Sequence, residues 1–228
     1  MKFIFKIVAT SNSNSGTMPL RRSLFGVAAV LCVLLYGCAP STTQMYIELT
    51  YHPQENVARF EEAGNIAIKV KVNDLRTEAS NFRDKNEVAG PAPYLQIISE
   101  NDLRELTTHA IETELINLGF KSGEKVLIEA DLVKLYGYLK GDRTGTRVGY
   151  YSQLILHIDI TNSERVLVFS KLIRSRGVSL NPAGKIAWSN VDFLDSAQIS
   201  LETALKNGIF LLINDPEFIT ALIKANRN

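Results

Sequence analysis

Apolar and polar positions recur along this chain regularly enough to predict most of its elements. Met45, Ile47, Leu49 and Tyr51 alternate with Tyr46, Glu48 and Thr50, which predicts a strand that His52-Pro53 ends. Ile66, Ile68, Val70 and Val72 alternate with Ala67, Lys69 and Lys71, a half-buried strand. Residues 73–96 carry Gly90, Pro91 and Pro93 and read as a long loop. From Ser99 to Leu118 the spacing turns helical, with Leu103, Leu106, Ala110, Ile111, Leu115 and Leu118 in one stripe. Ser99 with Asp102 resembles a capping arrangement, Gly119 is placed to stop the helix, and Phe120 is expected to pack back on its last turn.

Val126 to Tyr138 predicts a strand with Val126, Ile128, Ala130 and Leu132 facing one way. Gly141, Gly145 and Gly149 punctuate a loop or wide hairpin. Leu154, Leu156, Ile158 and Ile160 share the face of the next strand. Thr161-Asn162-Ser163-Glu164 is a turn signal, and Arg165 to Val178 returns as its antiparallel partner. Asn181-Pro182 breaks the chain. Asn190 or Asp192 is expected to cap a helix to about Ile213, with apolar residues at 194, 197, 201, 205, 209 and 212. Asp215-Pro216 then opens a short last helix. This order predicts an α+β fold: a mostly antiparallel sheet of about five strands with two main helices packed on one face. There is no internal repeat, so 45–228 is expected to form a single domain.

The amino-terminal part is patterned differently. Leu24 to Gly37 is 14 residues without a charge, preceded by Arg21 and Arg22. As a helix it would span about 21 Å, short of the roughly 30 Å hydrocarbon core. A positive start before a short apolar run is the pattern of a secretory signal rather than a membrane span. Residues 1–17 include a Ser/Asn run that suits no signal, whereas a start at Met18 gives one of ordinary length. The expected organisation is a signal peptide over 1–37 with translation from Met18, a tether over 38–44, and the folded domain.

Composition narrows the chemistry. Hydrophobic residues make up 46% and charged residues 21%, a globular balance. Cleavage before Cys38 would remove Lys2, Lys6, Arg21 and Arg22 and no acid, leaving a net charge of about −3. That argues against bulk nucleic-acid binding. The two cysteines, Cys32 and Cys38, both lie at the apolar run, so the folded part can hold no internal disulfide. His52, His109 and His157 are too widely spaced for a metal motif, and no phosphate-binding loop occurs; Lys185 in Pro182-Ala183-Gly184-Lys185-Ile186 lacks the following Ser or Thr. No catalytic, cofactor or metal residues are expected.

Several side chains invite a functional reading beside a plainer one. Asp74 and Arg76 follow a strand end and suit either a ligand contact or an ion pair in a turn; the ion pair is preferred. Lys69, Lys71, Arg174 and Arg176 suit an anionic surface, such as lipid A phosphates or peptidoglycan carboxylates, or a charged sheet edge, and the edge is preferred. Tyr136, Tyr138, Tyr150 and Tyr151 flank the glycine-rich segment and suit a glycan or protein partner, or cross-strand pairing. Ser152, His157 and Asp159 are near in sequence, but strand parity puts Ser152 on the opposite face from the other two. A local hydrolytic triad is therefore not expected.

Leu35-Tyr36-Gly37-Cys38 resembles the lipobox of bacterial lipoproteins, although Tyr36 is bulkier than the usual small residue. That resemblance implies cleavage before Cys38, a diacylglycerol thioether on its sulfur and an acylated new amino terminus, with palmitate among the acyl chains. Several chains make a firm anchor where one is marginal. Ala39, in place of Asp, implies the outer membrane and a periplasmic-facing protein. The folded part resembles the YajG-type outer-membrane lipoproteins in Val70-Lys71-Val72-Asn73-Asp74-Leu75-Arg76, Leu115-Ile116-Asn117-Leu118-Gly119-Phe120, Ile128 to Tyr136 and Phe218 to Lys224. The topology is also similar, at fold level, to the TolB amino-terminal domain and to lipoprotein activators of cell-wall synthases. The expected role is a non-enzymatic binding or assembly accessory with an envelope protein partner. A second expectation is a lipid or glycan binder whose cleft lies between the 73–96 and 141–149 loops; a third, less favoured, is a cell-wall hydrolase.

Overall fold

The computed structural model describes residues 43–55, 57–76, 87–92, 95–141, 148–180 and 190–227. The signal segment, Cys38, Lys185 and the middle of the glycine-rich stretch lie outside the described residues. Thr42–Asn228 forms one compact unit. Its strands are β1 (Thr43–Ile47), β2 (Ala67–Asp74), β3 (Glu87–Ala92), β4 (Leu95–Ser99), β5 (Lys121–Ser122), β6 (Val126–Gly141), β7 (Val148–Thr161) and β8 (Leu167–Leu180). Its helices are α1 (Leu103–Asn117), α2 (Asn190–Ile213) and α3 (Pro216–Arg227), with a 3₁₀ turn over Glu61–Asn65.

The fold is α+β, as expected, but the sheet is mixed and, among the described residues, has eight strands rather than about five. β6–β7, β7–β8 and β3–β4 are antiparallel. β1–β4, β2–β5, β2–β6 and β3–β6 are parallel. The difference has a physical cause. The chain between β2 and β6 passes through α1, and a crossover through a helix returns the chain in the same direction. The expected 73–96 loop also contains the β3–β4 hairpin, with Ala92 opposite Leu95. Along one edge of β6, β2 pairs with Val126 to Leu132, and β3 takes over at Gly137. The predicted Met45–Tyr51 strand starts at Thr43 and ends at Ile47, so strand structure begins inside the expected 38–44 tether. β6 and β8 both end beyond the expected Tyr138 and Val178, and α2 starts at Asn190, which puts Asp192 inside its first turn.

One sheet face is covered and the other is open. Ile68, Val70 and Val72 of β2, Ile128, Ala130 and Leu132 of β6, and Leu154, Leu156, Ile158 and Ile160 of β7 are buried under α1 and α2. α1 is capped by Asp102, which accepts from the N–H groups of Arg104 and Glu105, and not by Ser99, which ends β4. Burial pulls the Asp102 carboxyl up, but these hydrogen bonds and the Arg104 charge outweigh it and leave it below the usual carboxylate range. At the other end Gly119 has φ 106°, with Phe120 N–H bonded to Leu115 O at 3.0 Å and Phe120 buried, as predicted.

α2 lies very close to β7 and β8. Ser152 Oγ donates to the Ser200 carbonyl and Ser175 Oγ to that of Ala204. A Cβ on Gly177 would overlap Ser200 O and come within 2.7 Å of Ala204 N. Gly177→Ala is therefore expected to cost about 3 kcal/mol through overpacking, read as a lower midpoint in urea unfolding with an unchanged slope.

Candidate functional site

Ser152, His157 and Asp159 do not assemble. Ser152 is buried in the helix–sheet interface, with its Oγ 2.9 Å from Ser200 Oγ. His157 and Asp159 are on the open face, where His157 Nε2 is 3.0 Å from Ser170 Oγ and 3.7 Å from Asp159 Oδ1. The nucleophile and the base are thus separated by the sheet itself, as strand parity predicts.

Asp74, half-buried, and Arg76 form an ion pair. Arg76 is fully buried; its Nε and Nη2 reach Asp74 Oδ1 and Oδ2 at 2.8 and 2.7 Å, a bidentate geometry. Arg76 Nη1 also donates to Glu87 O at 3.3 Å, and Gln96 Nε2 donates to Glu87 Oε2 at 3.0 Å. The group joins the end of β2 to β3 and β4. Nothing in the sequence marks Arg76 as buried, because it stands in a stretch that reads as a loop.

Glu114 is a second buried polar group that sequence reading passed over. Its Oε1 accepts from Tyr51 Oη at 2.7 Å and from the Gln54 N–H at 2.8 Å. Burial, and then the Glu114 carboxylate, push the Tyr51 phenol well above its ordinary range. Helical spacing could have found it: 107, 111, 114 and 118 share one face of α1, and Thr107 and Glu114 are both buried there.

The open face divides by charge. Lys69 pairs with Glu124 at 2.6 Å and Lys71 with Glu129 at 2.9 Å, while His157 stands between Asp131 and Asp159. Towards the other end of the strands the pairing register sets Lys134 beside Ile155 and Arg174, then Tyr136 beside Gln153 and Arg176. Tyr138, Tyr151 and Val178 follow, and then Lys140, Gly149 and Leu180. These rows contain no acid, and none of Lys134, Lys140, Arg174 and Arg176 forms an ion pair among the described residues. The tyrosines divide as well. Tyr138 and Tyr151 stack on the open face with centroids 6.1 Å apart, and Lys140 Nζ lies 5.9 Å from the Tyr151 ring. Tyr150 points into the core against Phe193, and burial pushes its phenol above the ordinary range.

An open cleft of about 770 Å³ runs between β2 and the start of α1, lined by Val70 to Leu75, Glu100, Asp102, Arg104 and Thr108. Most of its charged residues are already paired: Lys71 with Glu129, Asp74 with Arg76, and Asp102 with Arg104. Among the described residues no three His, Cys, Asp or Glu side chains gather where a metal could bind, and no helix is long and apolar enough to cross a membrane.

No protein-family model and no curated protein sequence matches the chain. Solved structures do. A DUF330 protein from Xanthomonas campestris is 11% identical, with 81% of this chain and 98% of that one covered and a TM-score of 0.47. A candidate lipoprotein from Caulobacter crescentus CB15 is 10% identical over 73% and 96%, with a TM-score of 0.38. A candidate homologue of the neuraminyllactose-binding hemagglutinin, from Helicobacter pylori, is 11% identical over 79% and 99%, with a TM-score of 0.35. At these scores none of them bears on what this chain does.

Replacing Arg76 with Ala is expected to cost about 3–5 kcal/mol, because it strands Asp74 and leaves a buried hole. Lys69→Ala, at an exposed pair, is expected to cost under about 1 kcal/mol. Chemical denaturation of the two variants measures the contrast.

Proposed function

We propose that this chain is a lipid-anchored protein of the bacterial envelope, of the YajG type, held at the periplasmic face of the outer membrane through Cys38. Its folded unit acts there without catalysis, as a binding or assembly accessory with an envelope protein partner. The anchor draws on Leu35-Tyr36-Gly37-Cys38 behind the short apolar run, and the membrane assignment on Ala39. The observation that carries the binding role is the open sheet face, where, among the described residues, no helix lies and Lys134, Lys140, Arg174 and Arg176 have no acidic partners beside the Tyr138–Tyr151 stack. Uncompensated cations with aromatic and apolar neighbours suit recognition.

A second reading, a lipid or glycan binder, draws on the same exposed tyrosine stack. It predicts a ligand-dependent rise in melting temperature, which the accessory role does not require.

The anchor is tested by metabolic labelling with palmitate. Label is expected on the wild-type chain and absent from Cys38→Ala, which also stays uncleaved at this site. Equal labelling of the two would overturn the reading. Reproducible in-cell crosslinking to one envelope protein is expected from the anchored form, and its absence would count against the accessory role.

A further inference from the structure

We propose that the end of the open sheet face carrying Tyr138, Lys140, Tyr151, Arg176, Val178 and Leu180 rests on the anionic phosphate headgroups of the membrane that holds the anchor. The inference rests on lipidation at Cys38 in the reading above, and it assigns this end of the face to the membrane rather than to the protein partner.

Three observations converge on this end of the sheet. The first is where the chain enters the fold. Thr43 pairs with Leu95, Leu95 with Ala92, and Ala92 ends β3, which runs parallel to β6 with Ala89 opposite Gly137. Thr43 therefore sits at the end of the sheet where β6 finishes, at Lys140 and Gly141. Cys38 is five residues before Thr43, a reach of at most about 18 Å. β6 has 16 residues, and a strand of that length runs about 50 Å. The tether is far shorter than the sheet is long, so this end is held near the bilayer while the Asn162–Val166 turn at the opposite end can stand clear of it.

The second observation is the charge division. Lys140 and Arg176 at this end, and Arg174 at mid-strand behind them, have no acidic partner among the described residues, whereas Lys69 and Lys71 at the far end are neutralised by Glu124 and Glu129. The exposed Asp195 belongs to α2, in the layer behind the sheet. Cations gathered within a Debye length of a phosphate surface are attracted to it, and paired ones contribute little. The third is the company these cations keep. Val178 is 43% and Leu180 60% exposed, beside the stacked tyrosines. Tyrosine rings with aliphatic and basic neighbours match the boundary between headgroup and acyl chain.

The test uses the full, lipidated protein in vesicles of about three parts phosphatidylethanolamine to one part phosphatidylglycerol. Because Cys38 is thioether-linked, a cysteine introduced at Leu180 or at Ser163 is the single free thiol and takes a fluorescent label. Nitroxide lipids labelled at the headgroup are expected to quench the label at Leu180→Cys at least threefold more than at Ser163→Cys. The contrast is expected to fall below half in Lys140→Glu/Arg174→Glu/Arg176→Glu and in neutral phosphatidylcholine vesicles. Equal quenching at the two sites would overturn the proposal, and so would a contrast that survives charge reversal, since the tether alone would then set the orientation. The mass of the Cys38 peptide is measured on the same sample. An unlipidated peptide would bring down the anchor itself, whereas a lipidated peptide without contrast would bring down only the docking surface.

Discussion

The structure depends on how closely α2 approaches β7 and β8. Ordinary helix–sheet layers are separated by side chains; here Gly177, Ser152 and Ser175 on the sheet meet Ser200, Ala204 and Gly208 on the helix. Ser200, Ala204 and Gly208 recur every fourth residue, so the small side chains make one stripe along α2. The serine hydroxyls donate to helix carbonyls that already accept bonds within α2, which satisfies buried polar groups that would otherwise be costly. The contact fixes α2 against two strands at once. No helix among the described residues covers the opposite face.

Where one face of a strand is buried and the other wet, the sequence carries the answer. Leu154, Leu156, Ile158 and Ile160 alternate without error and are fully buried; the stripe of α2 at 197, 201, 205, 209 and 212 is just as clear. Legibility failed where tertiary context decided. β3 and β4 hold Gly90, Pro91 and Pro93 in or beside them and read as loop, because turn-forming residues mask a hairpin that is stabilised by its neighbours rather than by its own propensity. Strand direction also escaped local pattern, since β2 and β6 are parallel only through the crossover that contains α1. Of the candidate site residues, the parity of Ser152 against His157 was readable, and so was the Asp74–Arg76 pairing. The burial of Arg76, and the sorting of Tyr150 away from Tyr136, Tyr138 and Tyr151, needed the folded register.

The Asp74–Arg76 pair has a place in that register. One edge of β6 is shared by two strands that come from different parts of the chain, and where β2 ends and β3 begins the ladder is interrupted. Interrupted ladders leave backbone and side-chain polar groups without partners. Arg76 answers both sides of the gap, with Asp74 on β2 and the Glu87 carbonyl on β3, and Gln96 on β4 holds the Glu87 carboxylate. A planar, five-donor guanidinium can do this where a lysine could not. The chemistry of this cluster is thus directed at holding the sheet together, and its charges are turned inward.

The surface that remains for recognition is set by a single extra residue. Along β6 the even positions face the helices up to Leu132; opposite β7 the register then jumps from Leu132–Leu156 to Lys134–Ile155, leaving Val133 as a bulge. Beyond it the odd positions turn inward: Leu135 is fully buried, and Gly137 lies against the Tyr150 ring. Without the bulge Lys134, Tyr136, Tyr138 and Lys140 would point into the layer beneath α2, and Leu135 would point to water. β7 carries no matching shift, so its even positions stay buried from Tyr150 to Ile160. The bulge lets one long strand serve two surfaces. Its first half completes the core beside β2 and leaves a charge-neutralised exterior, and its second half keeps the core filled while turning Lys134, Tyr136, Tyr138 and Lys140 outward to meet Arg174 and Arg176 across β7. Core packing and the basic, aromatic end of the open face are therefore one feature of the backbone, and neither can be re-registered without losing the other.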